Sequence, residues 1–409
     1  MKRIFICLIV SLVFITGCSN KFNSSNENAT TDEQISISEL AVNSSKFENE
    51  IERAKYENIV LTDTFSVNIP NTESVFTFTL NQKTNLASED IKKYLDNIIP
   101  GIIDEQVNLE TDLRFISDSI QRNSSLSYPD SLPLLSDYLN QDIKDINTYV
   151  LGCCDYYLEL KPYGSMHILN DGKAQSLDKI ESECAGIYFA TDNHEIEKKY
   201  NNSDYNDEYK LLDKKISINN CAANVEKYIS DNLSFNSNEE LKPAVCAAKA
   251  IEMDDDLYGL SFNVTCLYKG VQFDTYRTDT DGSFTEISNS KQDRKNYNLM
   301  PGVAFVLSSD KINNYNDYER NYDIDDTKEY TKIISPVEAM KICSASLSSN
   351  VPFEVSSCEL KYLSYYTNEE ETNLSVYPVW RIQSLNTNDN LNYVMYVNAI
   401  NKEFDYYTY

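Results

Sequence analysis

Residues Lys332 to Leu347 read KIISPVEAMKICSASL. Ser335 stands where a helix N-cap belongs, Pro336 suits the first helical position and Glu338 lies in the first turn, so a helix with a sharp start is predicted. Ala339, Met340, Cys343, Ser346 and Leu347 recur at helical spacing and predict one buried face. The same spelling occurs 118 residues earlier (332 − 214), where Lys214 to Ser217 reads KKIS. Cys221, Ala222, Val225, Tyr228 and Ile229 follow it at matching positions.

The correspondence continues downstream. Cys246, Lys249 and Ile251 match Cys358, Lys361 and Leu363, and LSFNVTC from Leu260 matches PVWRIQS from Pro378, placing Phe262 on Trp380 and Val264 on Ile382. FDTYRTDTDGSF from Phe273 then matches YVMYVNAINKEF from Tyr393. An internal repeat is the simplest reading, each unit being a helix followed by a three-stranded antiparallel meander whose face the helix covers.

The second unit, with its SPVEA helix start, YPVWRI strand and YVMYVNAINKEF ending, resembles PepSY-type modules. Those modules end in Asp-Ala-x-x-Gly, and here the ending is Asn398-Ala399-Ile400-Asn401-Lys402. With its N-terminus, the whole chain looks like a family of Gram-positive surface lipoproteins. That resemblance implies a location, an α+β fold of tandem αβββ modules and a role in restraining or regulating other proteins. It implies no reaction.

At the N-terminus, Lys2 and Arg3 precede an apolar run from Ile4 to Ile15, too short for the ~20 residues of a membrane span but suited to a signal sequence. FITGCSN, Phe14 to Asn20, ends the run with small residues before a cysteine and resembles a bacterial lipobox. Cys18 is therefore expected to carry diacylglycerol, and two or more acyl chains make a stable anchor. The expected organisation is a signal peptide at 1–17, a lipidated tether and weak helix at 18–60, an N-terminal α+β domain at 61–200, and αβββ modules at 208–300 and 331–409. Within it, FSVNI and VFTFTL read as a strand pair, Ser88 as the cap of a helix, 130–146 as another helix, Cys154–Leu169 as a hairpin and 193–207 as a linker.

The chain carries 64 acidic and 36 basic residues, a formal charge of −28. Such a surface argues against nucleic acid as a partner. Excluding Cys7 and Cys18, eight of the ten cysteines remain, without C-x-x-C spacing, so no zinc site is indicated. Cys221 with Cys246, and Cys343 with Cys358, would lie between the same two layers, either as buried thiols or as bridges.

No catalytic, metal or cofactor set emerges. His167 and His194 stand apart, and DTDGSF from Asp279 lacks the first and twelfth ligands of a calcium loop, so an Asp-Gly turn explains it better. Acidic clusters at Asp254–Asp256, Asp323–Asp326 and Glu369–Glu371 read as solvated loops. Each of the tyrosine pairs Tyr156-Tyr157, Tyr365-Tyr366 and Tyr406-Tyr407 is expected to expose one ring and bury the other. The favoured expectation is a non-enzymatic, membrane-anchored module that binds an envelope protein. An envelope hydrolase with a carboxylate pair and a transport-associated solute receptor are the alternatives.

Replacing Cys18 with Ala is expected to release the protein or leave an unprocessed precursor. Detergent partitioning and intact mass check this; unchanged mass and membrane retention would refute the anchor.

Overall fold

The computed structural model describes residues 34–82, 113–116, 148–153, 156–160, 166–170, 196–198, 207–232, 240–254, 257–274, 302–310, 312, 314–317, 322–347, 352–366, 373–386 and 392–408. The strands are β1 (Gln34–Ser36), β2 (Ile59–Asn68), β3 (Val75–Gln82), β4 (Leu113–Ile116), β5 (Thr148–Cys153), β6 (Tyr156–Leu160), β7 (Met166–Asn170), β8 (Ile196–Lys198), β9 (Glu208–Lys210) and β10 (Lys215–Ser217). They continue as β11 (Leu241–Asp254), β12 (Leu257–Tyr268), β13 (Val271–Gln272), β14 (Gly302–Val306), β15 (Asn314–Asp317), β16 (Tyr322–Tyr330) and β17 (Lys332–Ile334). The last four are β18 (Phe353–Tyr366), β19 (Asn373–Asn386), β20 (Asn392–Asn398) and β21 (Phe404–Thr408). Four helices accompany them among the described residues: α1 (Ile37–Val42), α2 (Ser44–Arg53), α3 (Ile218–Asn232) and α4 (Pro336–Ser346).

The fold is α+β, and both repeated units are present. In the first, α3 precedes the antiparallel β11–β12 pair; in the second, α4 precedes β18–β19, and β20 and β21 extend the meander. Ser217 Oγ accepts the Asn220 amide at 3.3 Å and Ser335 Oγ accepts the Glu338 amide at 3.1 Å, the two N-caps the sequence marks. Val225 and Ile229 are buried on α3, and Ala339, Met340 and Cys343 on α4. Leu347 is half-buried as the residue that ends α4, and Ser346 is exposed.

Three details of the repeat differ from expectation. A bulge lies between Val245 and Ala247 in β11 and another between Val355 and Ser357 in β18. Superposing the bulges sets Asn263 on Gln383, hence Leu260 rather than Phe262 on Trp380. A slip of two residues keeps every side chain on its own face, so an alternating apolar pattern cannot detect it. Secondly, the third strand of the first unit is β14, which pairs along β12 from Leu260↔Val306 to Val264↔Gly302. It therefore lies beyond 208–300 and is not the Phe273–Phe284 stretch. Thirdly, β13 is a two-residue return of β12 through Lys269 and Gly270, both at positive φ (47° and 88°).

The described strands of 61–200 are divided between the sheets of the two units. β2 and β3 join the second unit in a seven-stranded sheet, order β16-β3-β19-β18-β2, with β20 and β21 beyond β19. β4 to β7 instead extend the first unit into a ten-stranded sheet through β7–β15. β2 and β3 are not a hairpin: β2 runs parallel to β18 while β3 lies antiparallel to β19, on the far side of the β18–β19 pair. Crossing three strand spacings takes about 14 Å, within reach of the connection 69–74. Likewise β1, α1 and α2 are part of the folded body. β1 pairs β17, and Ile37, Leu40, Phe47 and Ile51 enter the same core as Met340, Cys343 and Trp380. β6–β7 forms the expected hairpin, whereas β8 turns part of the expected linker into a strand against β11. The helices expected at Ser88 and 130–146 lie outside the described residues.

Trp380 is fully buried, and its Nε1–H donates to the Ile334 carbonyl at 3.0 Å. Ile334 N–H in turn donates to the Ala399 carbonyl at 2.9 Å. The turn after β20 accounts for the altered ending of the unit. Asn398 Oδ1 accepts the Ile400 and Asn401 amides at 2.9 and 3.1 Å, the work an Asp would do, while Lys402 sits at φ 68°, where Gly carries no steric cost. Lys402 Nζ reaches Glu338 Oε1 at 3.3 Å, a partial offset.

Trp380→Ala is expected to cost ~3–5 kcal/mol. Trp380→Phe, which retains an aromatic ring but orphans the Ile334 carbonyl, is expected to cost about 1–3 kcal/mol. Urea midpoints measure both; a neutral Trp380→Phe would remove the indole hydrogen bond from the list of stabilising contacts.

Candidate functional site

Every surface the protein can offer is set first by how its two units join. Beyond β13, Phe273 enters the core shared with the second unit, in a ring cluster with Phe78, Tyr268 and Tyr362 at centroid separations of 4.5 to 6.2 Å. Asp274 N–H donates to the Tyr362 carbonyl at 2.7 Å. Its carboxylate pairs with Arg381 Nε at 3.0 Å and accepts the Tyr396 hydroxyl, with side chains only 9% and 12% exposed for Asp274 and Arg381. Lys361 Nζ donates to Gln272 Oε1 beside it. A buried ion pair so enclosed contributes more to alignment than to net stability. The junction thus combines a shared ring cluster with a directional ion pair.

One groove of about 470 Å³ opens where α2 runs into β2 beside the end of α4. Its walls are Lys55, Tyr56, Glu57 and Asn58 on one side and Lys341, Ser344, Ala345 and Leu347 on the other. Asn58 is buried and fully engaged: Nδ2 donates to the Ser344 and Leu347 carbonyls (3.0 and 3.3 Å), and Oδ1 accepts the Ser344 hydroxyl at 2.8 Å. These bonds satisfy carbonyls at the end of α4, a structural task. Burial, with Cys358 and Cys343 nearby, pushes the Tyr56 hydroxyl up to about 12, so it stays protonated. The groove thus offers two ammonium groups and one carboxylate beside Tyr56, Ala345 and Leu347. Its lining contains one carboxylate, Glu57, not a facing pair.

The sheet edges are the other accessible features, and carboxylates meet their amides. Glu48 Oε1 on α2 accepts the Val67 amide of edge strand β2 at 2.9 Å, and Glu226 Oε1 on α3 accepts the Val245 amide of β11 at 2.7 Å. Both lie 19 residues before the amide they cap. This shared device, together with the Ser36 N-cap of α1, relates residues 34–82 to the two units; the spacing could have been found in the sequence but the paired partners could not. In the second unit the equivalent edge of β18 is covered by β2 instead. Asp405 Oδ1 accepts the Tyr406 amide on β21 at 2.8 Å. Carboxylates placed this way blunt an open edge against indiscriminate pairing.

Of the residues flagged by sequence, Cys18, His194, the Asp279–Phe284 stretch and Glu369–Glu371 lie outside the described residues. His167 falls in β7. Asp323–Asp326 lies in strand β16, not a loop; Asp323, Asp325 and Asp326 are exposed and Asn81 Nδ2 donates to Asp325 Oδ2 at 2.5 Å. Tyr406 is 49% exposed and Tyr365 half-buried. Cys221, Cys343 and Cys358 are buried thiols without a bridge, the Cys343 thiol lying 3.2 Å from Met395 Sδ, and Cys246 donates to the Asn263 carbonyl at 3.3 Å. Burial pushes the Cys221, Cys343 and Cys358 thiols upward, away from reactive thiolate. Among the described residues no helix is long and apolar enough to cross a membrane, and no cluster of metal-ligating side chains occurs.

No family model matches the chain, and no curated protein does. Among solved structures, it is similar to an uncharacterized protein from Eubacterium rectale, 12% identical over 88% of this chain and 98% of that one, TM-score 0.47. It is also similar to the Bacillus megaterium YpeB C-terminal domain, 13% identical over 79% of this chain and 98% of that one, TM-score 0.28.

Burial raises the Glu226 carboxyl above the usual glutamate range, opposed by the Val245 hydrogen bond; burial likewise raises Glu403 against its bond from Asn401. A carboxyl that holds its proton more tightly when folded stabilises below its unfolded pKa and loses that contribution as pH rises through its folded pKa. Glu226→Gln keeps an acceptor for Val245 and removes the ionisation. The variant is expected to melt about 1–3 °C above wild type at pH 7, the gap closing towards pH 4.5. Calorimetry across that range checks it, and a gap independent of pH would refute the assignment.

Proposed function

We propose that the protein is a membrane-anchored extracytoplasmic lipoprotein that binds or restrains another envelope protein and catalyses nothing itself. The observation that carries this reading is the stitching of β1 to β17: Gln34↔Ile334, Ile35↔Ile333 and Ser36↔Lys332. The first described strand thereby ties the N-terminal end of the chain directly to the start of the second unit. With lipid on Cys18, residues 19–33 separate anchor from core (34 − 18 = 16 steps), and a coil of that length reaches about 20 Å. The folded body would then be held close to the membrane from one fixed point.

The contact of Asp274 with Arg381 and Tyr396 supports the same reading, because it joins the two units beside one another. The groove beside α4 and the exposed Val60 and Tyr406, 51% and 49% accessible, offer contact points of the kind protein partners use. The formal charge of −28 steers towards partners that are neutral or basic.

A photo-crosslinking residue placed at Lys55, and separately at Val60, on intact cells followed by mass spectrometry tests the proposal. One recurrent envelope protein captured from either position, and absent with Glu208 labelled instead, is the expected result. Capture only of membrane lipid or of nothing would overturn it.

A further inference from the structure

The groove beside α4 has its walls pinned by hydrogen bonds. Ala54 N–H closes the end of α2 on the Glu50 and Ile51 carbonyls at 3.0 and 3.2 Å, and the Asn58 carbonyl accepts the Phe353 amide at 2.9 Å where β2 begins. Between these pins the Asn58 side chain ties the segment to α4 through Ser344 and Leu347. Exposure alternates along it: Lys55 and Glu57 are exposed, Tyr56 is half-buried and Asn58 is buried. Lys55 and Glu57 therefore share the outward side. Across the groove, Lys341, Ser344 and Ala345 stand at i, i+3 and i+4 on one face of α4. Ser344 on that face touches Asn58, so Lys341 is turned towards the same segment.

Two ammonium groups and one carboxylate thus surround a space of about 470 Å³, inside the ~300–1,000 Å³ range of small-molecule sites. Lys341 is lightly held. Its Nζ lies 3.9 Å from Glu338 Oε2, its side chain is 61% exposed, and Glu338 also serves Lys402 at 3.3 Å. An exposed pair at that distance contributes little and yields to a better-placed carboxylate. A lone anion is poorly matched to the rest of the site. Glu57 repels it, α2 and α4 both bring their negative C-terminal ends there, and the whole chain has a formal charge of −28. A lone cation meets two lysines. A zwitterion finds an opposite charge for each of its own and, being neutral, is not repelled by the field of the chain.

We infer that this groove binds a zwitterionic small molecule, an amino acid or dipeptide. Its carboxylate is held between Lys55 and Lys341 and its ammonium by Glu57, with charge-assisted hydrogen bonds at both ends. Tyr56, Ala345 and Leu347 line the remaining wall and meet the ligand's apolar part. Such a ligand is a different occupant from the envelope protein proposed above, and neither requires the other.

Titration calorimetry on the full chain in detergent compares L-alanyl-L-alanine with its C-terminal amide and its N-acetyl form. The free dipeptide is expected to bind at least tenfold more tightly than either blocked form. Lys341→Gln, and separately Lys55→Gln, are expected to weaken the free dipeptide at least tenfold and to abolish its advantage over the amide. Glu57→Gln is expected to abolish only its advantage over the N-acetyl form. All three substituted positions are exposed, so melting temperatures are expected to stay within about 2 °C of wild type. No binding of the free dipeptide, equal binding of the three forms, or binding indifferent to the three substitutions would overturn the site. Tighter binding of inorganic phosphate than of the dipeptide, lost in Lys55→Gln, would overturn the zwitterion in favour of a simple anion. Each of these failures leaves the envelope partner standing, because crosslinking at Val60 reports on it independently.

Discussion

Ile334 is the point on which the second unit is assembled. Its carbonyl takes the Trp380 indole N–H, its amide reaches Ala399, and Ala399 N–H reaches the Pro378 carbonyl at 2.9 Å. β17, which ends at this residue, also pairs β1. One residue thus ties a long strand, the closing turn of the meander, the start of α4 and the N-terminal segment. The geometry is demanding because the indole N–H is fully buried, and a buried donor without an acceptor is costly. A buried tryptophan placed this way holds the helix start and the sheet in one register.

From that anchor the structure grows into two sheets that share a core. The apolar cluster runs without interruption from Leu40 and Ile51 through Trp380 and Tyr362 to Phe273 and Leu241, across what the sequence presents as three regions. Asp274, Arg381 and Tyr396 add a directional contact at the same seam. Apolar burial is nearly indifferent to small rotations, whereas a carboxylate held by a guanidinium and a phenol is not. The seam therefore sets how the two units face each other.

The acidic surplus acquires a local meaning. Glu48, Glu226 and Asp405 each accept a strand amide, those of Val67, Val245 and Tyr406. Two of these guards reach from helices, and the third comes from the strand it guards, where Asp405 is buried. A protein with long, regular strands needs its edges closed to indiscriminate pairing.

The chain by itself determined the local elements. The Ser217 and Ser335 caps, the apolar stripes of α3 and α4, the β6–β7 hairpin and the burial of Trp380 follow from spacing and side-chain chemistry that act within a few residues. It also disclosed the repeat, though two residues out of register along the strands, because a period of two leaves such slips invisible. Only the tertiary structure decided which strands are neighbours. Nothing in FSVNI or VFTFTL says that they straddle another hairpin, nor that β14 rather than the Phe273 stretch completes the first meander. The groove and the Asp274 joint were equally hidden, since Lys55 meets Lys341, and Asp274 meets Arg381, only across contacts far apart in the chain. Strand pairing is a choice among many edges of similar local chemistry, and the choice is made by the shared core they close.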